Sequence, residues 1–182
     1  MKTYQEIIKP TLVLMIIASI IAALLAVTYN VTGVAELANA AYAPEELAVF
    51  AENALPGSGE LTRVDYKPAE GEEDLNFVYT SDAGTAIILN SKGYNAEGIT
   101  MMVGIGPDGA PTGAHVIKHA ETPGIGDKVC ADTAFIARSA EKIAAGSEPD
   151  ITAGATKSSN GINNGIKRAV ELYNKLHGEG VI

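Results

Sequence analysis

The chain has 182 residues and is acidic, with 22 Asp and Glu against 13 Lys and Arg and a formal net charge of −9 at pH 7. It contains no Trp and three Phe, so it lacks the basic and aromatic surface that binds nucleic acid, and we expect no nucleic-acid partner. One cysteine, Cys130, is too few for an internal disulfide or an iron–sulfur cluster. We expect it to be a small buried apolar residue.

The first predicted element is an apolar segment without charged residues. Together with its flanking residues it spans 10–29, close to the ~20 residues that cross a bilayer as a helix. Lysines precede it and glutamates follow it, which favours a cytoplasmic N-terminus at residues 1–9 and an extracytoplasmic remainder. We therefore predict a single-pass protein of the cell membrane, with Pro10 in the first turn of the helix.

A cleaved signal peptide is the alternative interpretation of this segment. Ala38-Asn-Ala40 and Ala41-Tyr-Ala43 both have the small-residue pattern of a cleavage site. They lie further from the apolar run than such sites usually do, which favours an uncleaved anchor.

A helical linker is predicted at residues 30–57, before a folded domain at 58–182. Its Ala, Glu and Leu content favours helix. Pro44 interrupts the run and starts a second short helix at Glu45.

The folded domain is predicted to be α+β, an antiparallel sheet packed with helices. Alternating or continuous apolar runs predict five strands, at residues 62–67, 76–80, 84–90, 99–105 and 114–118. The last two flank a turn-rich connection and form a hairpin. Apolar residues at helical spacing predict helices at 131–146 and 158–177.

A small-residue stretch with a hydroxyl precedes the last predicted helix. Gly154 and Ala155 carry almost no side chain, so another group can lie against the backbone there. Thr156 follows where the helix begins, and the N–H groups at a helix start favour an anion such as phosphate. A simple capping role for Thr156 is the commoner function of such a residue. A P-loop is excluded, because its lysine must follow the last glycine of the motif.

This stretch resembles the flavinylation motif of the FMN-binding domain. The motif residues are Gly154-Ala-Thr156-Lys-Ser158 with an upstream acid, Asp150, although Ala153 stands where the family usually has Ser or Thr. The domain occurs in the G-type subunit of the Rnf electron-transport complex and in the C-type subunit of the sodium-pumping NADH:quinone reductase. A second block, from Ser91-Lys-Gly-Tyr94 to Glu121-Thr-Pro-Gly-Ile-Gly126, resembles the family's glycine–tyrosine turn, hairpin and flavin loop in the same order.

The resemblance implies FMN held covalently, with its phosphate esterified to the Thr156 hydroxyl by a separate flavin transferase. It implies further cofactor contacts from the loop after the hairpin and from the residues around the threonine, namely Glu121, Thr122, Pro123, Gly124, Gly154, Ala155 and Ser158. Glu121 is either an acceptor close to the ring or a solvated charge. No metal is expected, because His119 lacks partners at ligand spacing.

The function implied is that of an electron-carrying flavoprotein subunit of the Rnf complex, an ion-translocating ferredoxin:NAD oxidoreductase. The other membrane subunits of that complex are the expected partners, and this chain alone holds no complete active site. Its short length favours the G-type subunit over the C-type subunit of the quinone reductase. A membrane-anchored binding or scaffold domain without a cofactor, in which Thr156 only caps a helix, is the alternative from another class.

Overall fold

The N-terminal unit contains one long helix. In the computed structural model, which describes residues 2–31 and 42–182, helix α1 spans Lys2–Val31. Its segment Ile8–Thr28, 21 residues long, is long and apolar enough to cross a membrane. The helix begins before Pro10, so the prediction that this proline lies in the first turn is wrong. No glycine or proline interrupts the residues before it, and the helix continues back to Lys2.

The second unit, Tyr42–Ile182, begins with helix α2, Pro44–Ala54. The short helix predicted after residue 43 is confirmed, with the proline in its first turn. Glu46 accepts a hydrogen bond from the Ala43 N–H at 3.0 Å, which satisfies a free donor at the helix start. The rest of the predicted linker, residues 32–41, lies outside the described residues.

A five-stranded sheet follows, in which every neighbouring pair is antiparallel and the strands lie side by side in chain order. The predicted antiparallel sheet is thereby confirmed. Its strands are β1 (Thr62–Arg63), β2 (Leu75–Ser81), β3 (Gly84–Ser91), β4 (Ile99–Ile105) and β5 (Pro111–His119). The strand predicted at residues 62–67 is too long, because the chain turns where the Tyr66 N–H donates to the Val64 carbonyl at 3.0 Å.

Three helices complete the unit: α3 (Gly126–Ala131), α4 (Thr133–Ala144) and α5 (Thr156–Gly178). The helix predicted near residues 131–146 corresponds to α4, which begins two residues later, whereas the separate short helix α3 before Asp132 was not predicted. The Asp132 carboxylate accepts from the Phe135 N–H at 2.9 Å and caps α4. Helix α5 begins two residues earlier than predicted.

Both faces of the sheet are buried. Ile87 and Met101 belong to the main core beside the apolar face of α5, represented by Ile162. Their neighbours Ile88 and Met102 are equally buried, yet they point to the opposite face because side chains alternate along a strand. That second face is covered by α2, which explains why β3 and β4 are continuous apolar runs.

Helix α2 ends in close contact with the sheet. A Cβ added to Gly104 or to Gly113 would overlap the carbonyl oxygens of Ala54 and Asn53, so only glycine fits at these strand positions. The Thr112 hydroxyl also donates to the Ala54 carbonyl at 2.7 Å. The predicted boundary at residue 58 therefore lies inside the folded unit. Cys130 is buried, as expected, and burial raises its pKa to about 12.

Candidate functional site

Three separate segments enclose a cavity at the start of helix α5. They are Tyr94 from the turn after β3, Thr122 and Ile125–Gly126 from the loop after β5, and Gly154–Ser158 at the helix start. The cavity has a volume of about 380 Å³, within the roughly 300–1,000 Å³ typical of ligand pockets. The fold thus brings together both sequence blocks that carry the family resemblance.

Thr156 is the first residue of α5, and its side chain is exposed on the cavity wall. The N-cap position belongs to Ala155, which makes no side-chain capping bond. The capping role considered for Thr156 is therefore wrong. Gly154 has φ +82°, a conformation that glycine adopts without strain, and this turn delivers the threonine to the cavity.

The loop before Thr156 is fixed by side chains of the helices around it. The Thr152 N–H donates to the Ser159 hydroxyl at 3.1 Å, and the Asn163 amide donates to the Asp150 carbonyl at 2.9 Å. The Asp150 carboxylate pairs with Lys142 of α4 at 2.5 Å, and this contact lowers the pKa of Asp150. Asp150 therefore lies in the supporting loop and outside the set of residues that line the cavity.

Glu121 is buried, with 4% of its surface exposed. Its carboxylate accepts hydrogen bonds from the N–H groups of Tyr94 and Asn95, both at 3.0 Å, and from the Ser158 hydroxyl. Burial alone would raise the pKa of Glu121, but these hydrogen bonds together lower it. The solvated-charge interpretation is wrong. Glu121 joins the turn after β3 to the first turn of α5.

Two glycines allow the Glu121 carboxylate to lie close to the backbone of the neighbouring segments. A Cβ at Gly93 would overlap one Glu121 oxygen, and a Cβ at Gly126 would overlap the Ser158 hydroxyl and lie 2.8 Å from the other Glu121 oxygen. This contact was not predicted from the sequence. Two glycines could have indicated it, one in the glycine–tyrosine turn and one at the end of the flavin loop. Glycine at such positions allows another group to lie close to the backbone.

The predicted cofactor residues divide into two groups. Thr122, Gly154, Ala155, Thr156 and Ser158 line the cavity, whereas Glu121 and Pro123 do not. Gly124 lines a neighbouring cavity of about 410 Å³ on the other side of Ile125.

Four further residues line the Thr156 cavity without having been predicted as contacts, namely Tyr94, Ile125, Gly126 and Lys157. Tyr94 and Ile125 are 65% and 50% exposed, unusual for large apolar side chains in this unit.

The part of the chain that forms the cavity matches a known domain family. Residues 93–171, which include all three cavity segments, match the FMN-binding domain. The chain carries an FMN-binding domain. The resemblance inferred from the two motif blocks is thereby confirmed.

Two relatives are similar to this chain, and one of them aligns with nearly its whole length. The chain is 27% identical to the G-type subunit of the ion-translocating oxidoreductase complex of Methanosarcina acetivorans over 210 aligned positions, covering 98% of this chain and all of that protein. It is 37% identical to the subunit of the same name from Cereibacter sphaeroides over 65 residues, covering 34% of this chain and 30% of that protein.

The chemistry of the cavity fits FMN. The exposed hydroxyl of Thr156 lies at a helix start, where free N–H groups favour a phosphate. The Tyr94 and Ile125 side chains offer apolar surface to a planar ring. Among the described residues that line the cavity none is acidic and one, Lys157, is basic, which favours a phosphate.

Proposed function

We propose that this protein is an electron-carrying subunit of an ion-translocating oxidoreductase of the Rnf type, and that it holds FMN as a phosphoester on Thr156. The observation that carries the proposal is the position of that threonine. Its hydroxyl is exposed, takes no part in capping, and lines a cavity together with Thr122, Ile125 and Gly126 of the flavin loop. The FMN-binding domain and the names of both relatives support the same role.

The ester replaces the proton of the Thr156 hydroxyl with a bond to phosphorus. The donor is an activated flavin nucleotide used by a flavin transferase. The bond between its phosphorus and the leaving group breaks, and the departing group takes up the proton released from the hydroxyl. An exposed hydroxyl at the end of a fixed loop suits modification by a separate enzyme, because that enzyme reaches the oxygen without unfolding the domain. Helix α5 would then present its N–H groups to the phosphate.

FMN supplies reversible electron transfer when bound, and the protein's residues hold and orient it. Tyr94 and Ile125 would pack against the ring, and the Thr122 hydroxyl would hydrogen-bond one of its polar atoms. Glu121 keeps the wall that carries Tyr94 against the wall that carries Thr156. The exposed residues of the cavity, Tyr94, Ile125 and Thr156, would face a partner for electron exchange.

We also propose that α1 anchors the protein in the cell membrane, with the N-terminus cytoplasmic and the FMN-binding domain outside. The apolar segment Ile8–Thr28 and the lysines at its N-terminal end, Lys2 and Lys9, support this topology. Covalent attachment suits a domain outside the cytoplasm, where lost FMN is not readily replaced. The partners would be the other membrane subunits of the complex.

Covalent attachment is tested by producing the full chain together with a flavin transferase and resolving it on a denaturing gel. We expect a band that fluoresces under ultraviolet light and an intact mass that includes FMN. Thr156→Val removes both, while Thr152→Val, which deletes a hydroxyl from the same loop, retains both. A dark wild-type band from competent cells, or a fluorescent Thr156→Val band, would overturn the proposal.

The scaffold alternative assigned Thr156 to a helix cap, a position that Ala155 occupies instead. The C-type subunit of the quinone reductase shares the same chemistry and differs in its partners. Purification of the tagged full chain from the membranes of its own organism distinguishes the two assignments, because different subunits would co-purify from each complex.

A further inference from the structure

Lys157 occupies an unfavourable position for a lysine. It is the second residue of α5, where the helix dipole is positive and acidic residues are preferred, yet the first turn of this helix contains none. Within the described part of the chain Lys157 forms no ion pair, although the protein as a whole is acidic. A residue that breaks a local preference without local compensation is a candidate for function.

The ammonium group of Lys157 lies at the cavity. Its Nζ is 5.2 Å from the centroid of the Tyr94 ring, within cation–π range, and both side chains line the cavity beside Thr156. Among the described residues that line this cavity, Lys157 is the only charged one. The aromatic contact holds a positive charge on the wall where a planar ring would lie.

A negative charge sits behind the same wall. The Glu121 carboxylate is buried, and it accepts from Ser158, the residue that follows Lys157. Without Lys157, no side-chain cation among the described residues that line the cavity would balance the negative charge of Glu121. Negative charge near a flavin opposes its reduction, and positive charge favours it.

We propose that Lys157 sets the reduction potential of the flavin, raising it by stabilising the negative charge of the reduced ring. The inference rests on the proposed attachment of FMN to Thr156. Reduction of the ring by two electrons and one proton leaves one negative charge on it, and a nearby ammonium group lowers the free energy of that state. The electrons come from a partner subunit in the membrane, or from dithionite in a titration.

The experiment compares the flavinylated full chain with Lys157→Met and Lys157→Arg. The matched control is Lys167→Met, which removes the same charge from the same helix, where Lys167 pairs at 3.4 Å with the exposed Glu148. Midpoint potentials are measured by equilibration with redox dyes, at low and at high salt. We expect Lys157→Met to shift the reduction equilibrium roughly tenfold toward the oxidised form, about 30 mV more negative for a two-electron couple. Lys157→Arg and Lys167→Met keep the wild-type potential.

A wild-type potential in Lys157→Met, or an equal shift in Lys167→Met, would overturn the assignment. Loss of flavin from Lys157→Met alone would also overturn it, because the lysine would then act in attachment. Failure of the proposed function has a different signature, since the wild-type band itself would be dark on a denaturing gel. The salt dependence gives a second check, because screening at high salt should reduce the difference in midpoint potential between the wild-type protein and Lys157→Met.

Discussion

The hydroxyl of Ser158 donates a hydrogen bond to the carboxylate of Glu121, although 37 positions separate the two residues in the chain. Through this contact a buried acid from the flavin loop is joined to the helix that carries Thr156. The same carboxylate accepts two backbone N–H bonds from the turn that carries Tyr94. One side chain therefore holds all three walls of the cavity together.

Glu121→Ala should destabilise the protein and impair flavin attachment. The substitution leaves the Tyr94 and Asn95 N–H groups and the buried Ser158 hydroxyl without their acceptor, and we expect the free energy of unfolding to fall by about 2–4 kcal/mol. Chemical denaturation of the full chain in detergent measures this change. Glu141→Ala, on the exposed side of α4, is the control and should remain within about 0.5 kcal/mol of wild type. An equal effect of both substitutions would contradict the role of Glu121.

Gly126→Ala tests the same contact from the opposite side. The new methyl would overlap the Ser158 hydroxyl and lie 2.8 Å from a Glu121 oxygen, so the pair must separate. We expect a loss of about 1–3 kcal/mol in unfolding free energy, together with a weaker fluorescent band after production with the transferase. Gly178→Ala is the control, because a Cβ there meets nothing within 4 Å. A melting temperature unchanged by Gly126→Ala would show that the walls are not held as described.

Part of this arrangement could be predicted from the sequence. The predicted bounds of strands β3 and β4 agree with the structure to within a residue, because both are continuous apolar runs between turn residues. Helix α5 is identifiable from the spacing of Ile162, Ile166 and Tyr173. These elements form from the local spacing of apolar residues, and that spacing can be read directly from the sequence.

The remaining features depend on contacts between distant parts of the chain. The Glu121–Ser158 bond is one such contact, and the packing of α2 on Gly104 and Gly113 is another. Helix α3 is a single short segment that begins at a glycine, so it has no apolar period to detect. The site residues Tyr94 and Ile125 were missed because exposed apolar side chains carry no chemical motif of their own.

The stability of the protein at acidic pH should depend on Glu72. This buried carboxylate accepts from the Lys175 ammonium at 2.5 Å and from the Tyr66 hydroxyl and Ala69 N–H, each at 2.8 Å. The Lys175 contact is the main reason why the pKa of Glu72 is lowered from 4.5 to about 2.

Because its folded-state pKa is depressed, Glu72 contributes stability that is fully present above about pH 4.5 and is lost as the pH falls toward 2. In Glu72→Gln the free energy of unfolding should therefore change less between these two pH values than in the wild-type protein. Denaturation series at several pH values measure the two slopes, and Glu148→Gln, an exposed carboxylate, serves as the control. Parallel curves for wild type and Glu72→Gln would contradict the assignment.

The role of Asp150 can be separated from that of its loop. Its side chain pairs with Lys142 on the surface, an interaction worth about 0–1 kcal/mol, while its backbone carbonyl is held independently by Asn163. Neither Asp150→Asn nor Lys142→Met should therefore alter the loop or shift the melting temperature appreciably. If the transferase contacts the exposed carboxylate itself, flavin attachment falls in Asp150→Asn and persists in Lys142→Met, and this is the result we expect from time courses of gel fluorescence. Equal losses in both variants would instead assign the effect to the ion pair, and Asp150 would then act by fixing the loop that delivers Thr156.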